Sequence, residues 1–255
     1  MMKPARPYVL TIGGFDPTGG AGVLADIKTA ERLRCYGMSV LTANTVQRED
    51  KVLSVNWLSN AFIKEQCDAL KQVDFKAIKI GIVQNVEMLS AILKMTAEYW
   101  PKATLIWDPV VKASDNTTFF DFESNFDFTS ILSKVDMITP NSNELSYLSK
   151  KENTEERLSE LSKSTQVYLT GGHNEERIGV VGLDYFAAEN GVGLKKLNPK
   201  AGTYSEKHGS GCILSTAIAC NLALEYPMHL ALLKSKRYIE KVLGSNKTLL
   251  AYHYQ

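Results

Sequence analysis

Residues 207–219 read KHGSGCILSTAIA, with two glycines and a cysteine set directly before a mostly apolar run. Gly209 and Gly211 let backbone N–H groups converge, and a helix starting there adds unpaired donors and the positive end of its dipole. Such a corner, with Ser210 in it, suits a phosphate. Cys212 reads either as a donor aimed at a phosphoryl group or as a thiol whose pKa the helix end lowers. The plain reading of the same residues is a glycine turn ahead of a core helix, with Cys212 a small buried side chain.

A second glycine-rich run, GGFDPTGGAGVLADIKT at 13–29, matches neither GxxxxGK[ST] nor GxGxxG. Turns and tight packing would by themselves explain about half of such glycine runs. Asp26 says more, because it falls about one helical turn past the loop, beside the core-like Leu24 and Ile27. Carboxylates, amides and glycines recur in short segments at 81–85, at Asp108-Pro109, at 139–144 and at 170–173.

These groups act together only if a fold collects them. Residues 8–12 form a β-prone run closed by Gly13 and Gly14. Leu24, Ile27 and Leu33 then recur at helical spacing over 21–36, with Gly37 expected to end that helix. Strands are predicted at 38–43, 77–82, 104–107, 136–139 and 166–169, and helices over 60–73 and 86–99, closing at 131–133, and starting at 144–149. Short apolar strands alternating with helices predict βαβ units around a parallel sheet covered on both faces. Residues 179–186 and 192–197 flank Asn190-Gly191, a strong hairpin signal, and predict an antiparallel edge. Two helices, 213–226 and 228–243, are divided by Pro227. The expectation is one α/β domain over 1–255. Ligands in such sheets bind beyond the carboxyl ends of the strands, so the loops above would share one rim, faced by the helix that opens at 209–212.

Composition narrows the function classes. Apolar residues make up 44% and charged residues 22%, as in ordinary globular proteins. With 29 Lys plus Arg against 28 Asp plus Glu, the formal charge of +1 gives no reason to expect a nucleic acid partner. No stretch approaches the roughly 18 apolar residues of a membrane span. Cys35, Cys67, Cys212 and Cys220 lack CxxC spacing, and no apolar leader precedes the first strand, so a reducing cytoplasm is expected. Cys35, Cys67 and Cys220 read as small apolar fillers. His173 and His208 lack a zinc spacing and read as packing or hydrogen-bonding groups. Trp57, Trp100 and Trp107 read as core or rim residues.

In order and spacing, GGFDPTGGAGVLADIKT, Gln47, KIG at 79–81, DPV at 108–110, TPNSNE at 139–144, GGH at 171–173 and HGSGC at 208–212 resemble the hydroxymethylpyrimidine and phosphomethylpyrimidine kinases of thiamine biosynthesis. The resemblance runs from about residue 8 to about residue 224. It implies a three-layer α/β/α ribokinase-like fold with a mainly parallel sheet. It also implies an ATP- and Mg²⁺-dependent kinase acting on 4-amino-5-hydroxymethyl-2-methylpyrimidine and then on its monophosphate.

Carried over by residue, the resemblance puts Gly14, Asp26 and Gln47 at the pyrimidine, with Ile82 or Val46 as an apolar wall. An amide or carboxylate can pair directionally with an aminopyrimidine. Gly209, Ser210, Gly211 and Cys212 match the anion hole, where Cys212 could activate the hydroxymethyl oxygen unless a phosphate takes its proton. Asn141 and Glu144 match the nucleotide and magnesium side, with Asp108 a further candidate for metal-bound water. Glu144 also reads as a helix-start carboxylate, and Asp108 as a turn former before proline. Thr170 stands where the family has a lysine before GGH, Gly172 follows it, and Lys112 comes early in DPVVKASD, where it could replace the lost charge. These departures leave open a pyridoxal-like acceptor or a ligand-binding paralogue with weak transfer. A homodimer is allowed by fold analogy.

Overall fold

The computed structural model describes residues 5–113, 115, 117–123, 126–171, 177, 178, 181–188 and 194–253. Five parallel pairings join β1 (Tyr8–Phe15), β2 (Tyr36–Arg48), β4 (Phe75–Ile80), β5 (Thr104–Trp107), β6 (Met137–Ile138) and β7 (Gln166–Leu169). Antiparallel strands flank them on both sides. β3 (Lys51–Trp57) pairs with β2 at one edge, and β10 (Asp184–Ala187) and β11 (Leu194–Leu197) extend from β7 at the other. The order is β11-β10-β7-β6-β5-β4-β1-β2-β3, and β8 (Arg177–Ile178) and β9 (Val181–Gly182) form a separate pair.

Strand alternation divides the core into two layers. Leu10, Ile12, Ile78, Ile80, Leu105, Trp107, Ile138, Val167 and Leu169 face α2 (Asn60–Leu70), α3 (Val86–Tyr99), α4 (Thr129–Leu132), α5 (Ser142–Leu148) and α6 (Thr154–Leu161). Val9, Ala77, Ile106, Met137 and Tyr168 face α1 (Gly22–Arg32), α7 (Ser210–Ala223) and α8 (Met228–Leu243). Helix α7 is buried along its length from Ile213 to Cys220, which is why its sequence is apolar all round rather than striped.

The three-layer α/β/α architecture, mainly parallel sheet and antiparallel β10–β11 edge agree with the sequence reading, and four local readings are corrected. Helix α1 ends at Arg32, with Arg34 at φ +65°, and Gly37 lies inside β2 opposite Val9. The strand expected at 38–43 runs on to Arg48 and turns through Glu49-Asp50 into the unpredicted β3. The polar run after α5 hides helix α6, whose N-cap Asn153 accepts from the Glu156 N–H at 2.9 Å. The single strand expected over 179–186 is two short ones, broken at Leu183. Asn190 and Gly191 lie outside the described residues.

The chain adds β2 and β3 on one side of β1 and β4 on the other, so the strand order reverses at β1. That topological switch leaves a crevice beyond the carboxyl ends of β1 and β4. Gly81, just past β4, donates its N–H to the Ile12 carbonyl at 2.8 Å and keeps the two ends in register.

Candidate functional site

The first glycine run leaves β1 and folds around Asp16. This buried carboxylate accepts from the N–H and hydroxyl of Thr18 at 2.9 Å, from the Ala21 N–H at 2.8 Å, and pairs with His208 Nε2 at 2.9 Å. Burial alone would raise its pKa. His208, the Gln47 amide and the two backbone N–H groups outweigh burial and hold it well below the usual carboxylate range. His208 thereby latches the first glycine loop to the second.

The two loops interlock through backbone. Gly22 has φ +58° and Gly209 has φ +75°, and a Cβ on either would drive into a carbonyl oxygen, that of Gly14 and that of Gly20 respectively. Only glycine meets both demands. Gly14 in turn packs directly against the Ile82 side chain. Gly209 caps α7 without a side-chain bond, and the next turn opens outward: Gly211 is exposed, and a Cβ there would meet nothing within 4 Å. The Ser210 N–H reaches back to the Lys207 carbonyl at 3.4 Å, and the turn that follows, at Gly211, faces open space.

Beneath that turn lies a buried polar network on the α1/α7 face of the sheet. The Lys79 ammonium, 1% exposed, pairs with Asp26 at 3.0 Å and reaches Asp108 at 3.7 Å. The Thr11 hydroxyl donates to Asp26, as does that of Thr216 at 2.7 Å, and Ser215 donates to Asp108 at 3.0 Å. Burial would strip the proton from Lys79, but Asp26, Cys212 and Asp108 carry its pKa above the usual lysine value. Asp108 is pushed up by burial, with Lys79 and Ser215 pulling the other way. Cys212 is half-buried over this network. Burial pushes its thiol up to about 12, aided by Asp108 and Asp26 and opposed by Lys79. The helix end therefore does not yield a thiolate at neutral pH.

Across the crevice, Asn141 caps α5. Its Oδ1 accepts from the N–H groups of Asn143 at 2.9 Å and Glu144 at 3.0 Å, and Glu144 Oε2 accepts from the Asn141 N–H at 2.8 Å. Glu144 is thus a capping residue and is also electrostatically strained. Burial, and then the like charge of Asp108, push its pKa up to about 8 against the N–H groups of Asn141 and Val111. Burial and the neighbouring Asp108 carboxylate both disfavour the Glu144 anion, a penalty that a divalent cation beside them would offset. Among the described residues, no group of three or more His, Cys, Asp or Glu is arranged to hold a metal by itself.

The structure gathers Asp26, Asp108, Cys212 and Glu144 into one coupled cluster and sets Gly14, Ile82 and Gln47 about the first loop. Asp26 is buried, with Thr11, Lys79 and Thr216 all bonded to its oxygens. Lys112 is exposed, with its ammonium 5.7 Å from the centre of the Tyr147 ring. Thr170 is half-buried and donates its N–H to the Pro140 carbonyl at 2.9 Å. Gly172 and His173 lie outside the described residues. Trp100 and Trp107 are core residues, and Cys35, Cys67 and Cys220 are buried. The sequence patterns do not single out Lys79, Asp16, Ser215 and Thr216 as site residues, whereas His208, expected to pack or to hydrogen-bond, does the latter with Asp16. Lys79 had a visible signal, a lone cation between Ile78 and Ile80 in an otherwise apolar strand end.

A phosphomethylpyrimidine kinase family model matches residues 16–255. A hydroxymethylpyrimidine/phosphomethylpyrimidine kinase of Saccharomyces cerevisiae is 30% identical over 260 residues, which cover 93% of this chain and 46% of that protein. The chain spans about a third to a half of the length of several curated relatives it matches. The crystal structure of a phosphomethylpyrimidine kinase from Clostridium difficile 630 is similar with a TM-score of 0.75 and 29% identity, over 92% of this chain and 98% of that one. A Staphylococcus aureus pyridoxal kinase in complex with pyridoxal has a TM-score of 0.80 at 23% identity, over 97% of this chain and 92% of that one. At that identity the likeness speaks to the fold.

Proposed function

Because the chain belongs to the phosphomethylpyrimidine kinase family, within the ribokinase-like superfamily, we propose that it transfers the γ-phosphoryl group of ATP to the hydroxymethyl oxygen of 4-amino-5-hydroxymethyl-2-methylpyrimidine. A second transfer phosphorylates the resulting monophosphate. The observation that carries this reading is the open turn at Gly211, held by two interlocked glycine loops above Cys212 and the buried Lys79.

In each transfer the acceptor O–Pγ bond forms and the bond from Pγ to the ADP oxygen breaks; in the first the hydroxymethyl proton leaves as well, whereas in the second an ionised oxygen of the monophosphate attacks without losing one. Positioning and charge stabilisation supply most of the rate in such reactions. The N–H groups at the start of α7 face the developing charge on the phosphoryl oxygens, and Lys79 adds a fixed positive charge below them. Cys212 acts as a neutral thiol. It orients the acceptor oxygen, which leaves a phosphate oxygen as the destination of the proton. The ring rests against Gly14 and Ile82, with the Gln47 amide at its amino edge and Asp26 acting through Lys79.

Asp108 and Glu144 fit Mg²⁺, directly or through water, and the ion would supply charge neutralisation for the phosphates. Asn141, Thr170 and Gly172 are assigned to the nucleotide side. Lys112 would have to leave the Tyr147 ring to serve there. The four unpaired cysteines support a cytoplasmic setting. Among the described residues, no helix is long and apolar enough to cross a membrane. The exposed Val46 and Leu53 on the β2–β3 hairpin support a homodimer, which sedimentation would detect.

The deciding assay measures kcat/KM for the aminopyrimidine and for pyridoxal with ATP and Mg²⁺, and identifies each product. Higher efficiency with the pyrimidine is expected. Equal or higher efficiency with pyridoxal overturns the acceptor assignment, and absence of phosphorylated product from both overturns the kinase reading. Gln47→Leu should cost roughly 1–3 kcal/mol in pyrimidine recognition.

A further inference from the structure

Residues 244–253 follow α8 and return to the site along the outside of both glycine loops. The Ser205 N–H donates to the Leu243 carbonyl at 3.0 Å where the segment departs. Two residues on, the Lys207 side chain turns inward, 6% exposed, and its ammonium donates to the carbonyls of Asn246 and Thr248, each at 2.7 Å. The His208 N–H donates to the Leu249 carbonyl at 2.9 Å. Leu250 packs against Gly20 in the first loop, beside the His208 ring.

The segment is itself ordered by local bonds. Asn246 Oδ1 accepts from the N–H and hydroxyl of Thr248, both at 2.8 Å, and Asn246 Nδ2 donates to the Leu250 carbonyl at 3.0 Å. Its far end is tied to α8 by a 2.7 Å bond between the Tyr238 hydroxyl and His253 Nδ1. Burial pushes His253 down to about 4, with Lys28 and Arg32 adding to the effect, so the ring in that bond is neutral at physiological pH.

A buried ammonium on backbone carbonyls is a costly arrangement if packing alone is needed, since an apolar side chain of similar length fills the same space without desolvating a charge. What the lysine adds is direction. It fixes two carbonyls of the segment to the residue that precedes His208 and Gly209, and those residues set the geometry of the turn at Gly211. We infer that residues 244–253 are a strap that holds both glycine loops in their transfer geometry, and that Lys207 is its positioning residue. This rests on the phosphoryl-transfer reading for its consequence, not for its geometry.

The test has two arms. Hydrogen–deuterium exchange, which requires no substrate, compares wild type with Lys207→Met. Faster exchange in 16–22 and 207–212, with α3 and the central strands unchanged, is expected. Steady-state kinetics should then show kcat lowered about 10- to 100-fold, as for an ångström-scale misplacement, with KM for the pyrimidine changed less than about three-fold. Lys207→Arg, which keeps the cation and donors, should recover part of kcat. Tyr238→Phe, which releases the far end without touching either loop, should move exchange and kcat in the same direction by less. Unchanged loop exchange in Lys207→Met overturns the strap, and faster exchange with wild-type kcat overturns its role in transfer. A wild-type protein inactive on every acceptor overturns the functional reading alone, because the exchange arm still reports on the strap.

Discussion

Gly209 and Gly211 stand two residues apart, and alanine at each should fail for opposite reasons. At Gly211 the added methyl group meets no protein atom within 4 Å, and the backbone does not occupy the left-handed region. Replacing such a helical glycine by alanine typically stabilises by about 0.4–1 kcal/mol through the unfolded chain. For a chain of this size that shifts Tm upward by roughly 1–4 °C. On the proposed function the methyl group nevertheless projects into the space assigned to the transferred phosphoryl group, and loss of one oxyanion donor geometry costs on the order of 10²–10³ in kcat. At Gly209 the φ of +75° costs alanine about 1–2 kcal/mol before the clash with the Gly20 carbonyl is counted. Tm should fall by several degrees there as the interlock opens. The measurement is Tm by differential scanning calorimetry together with kcat per folded molecule. The expected signature is Gly211→Ala at least as stable as wild type and 10²–10³ slower, against Gly209→Ala both less stable and slower. A stable Gly211→Ala protein with near-normal kcat would refute the anion-hole assignment.

Three further outcomes follow from the buried network and the first loop. With its thiol pushed up to about 12, Cys212 should contribute no ionisation to the kcat profile between pH 6 and 9, and Cys212→Ser should bind acceptor normally while turning over more slowly; a wild-type limb in that range abolished by Cys212→Ser would restore the thiolate base. Lys79→Met leaves Asp26 and Asp108 without their shared cation and should destabilise by about 3–5 kcal/mol in urea unfolding, whereas a loss under 1 kcal/mol would mean the pair is solvated. Asp16 has a folded pKa below its ordinary 3.8, so its stabilisation is present above that value and lost as pH falls below it; Asp16→Asn should lower stability at pH 7 and flatten the acid limb, and an unchanged limb would show that His208 does not hold the carboxylate ionised.

The fold was legible where one rule acts alone. Strands β5 and β7 and helices α3 and α8 carry uniform patterns, and their predicted limits coincide with the observed ones. The β2–β3 hairpin was not legible, because past Ala43 the strand leaves the helix-covered layer and the exposed Asn44 and Arg48 interrupt the apolar signature. Helix α6 was hidden for a related reason: only Leu158 and Leu161 are buried, and a charged run carries the rest. At the site, the glycine loops announce themselves by composition, but their interlock depends on residues nearly two hundred positions apart. Lys79 shows why. Alternation in β4 sends Ile78 and Ile80 toward α3 and Lys79 toward α1 and α7, where Asp26 arrives from one helix and Thr216 from another. Each residue is unremarkable in its own segment. Sequence periodicity reports which face a residue occupies; whether a buried lysine there is an anomaly or the centre of a charge network depends on what the opposite layer brings to it. Asp26 illustrates the same limit from the other side. Its place beside the first glycine loop was readable, while the three partners on its oxygens, drawn from β1, β4 and α7, were not.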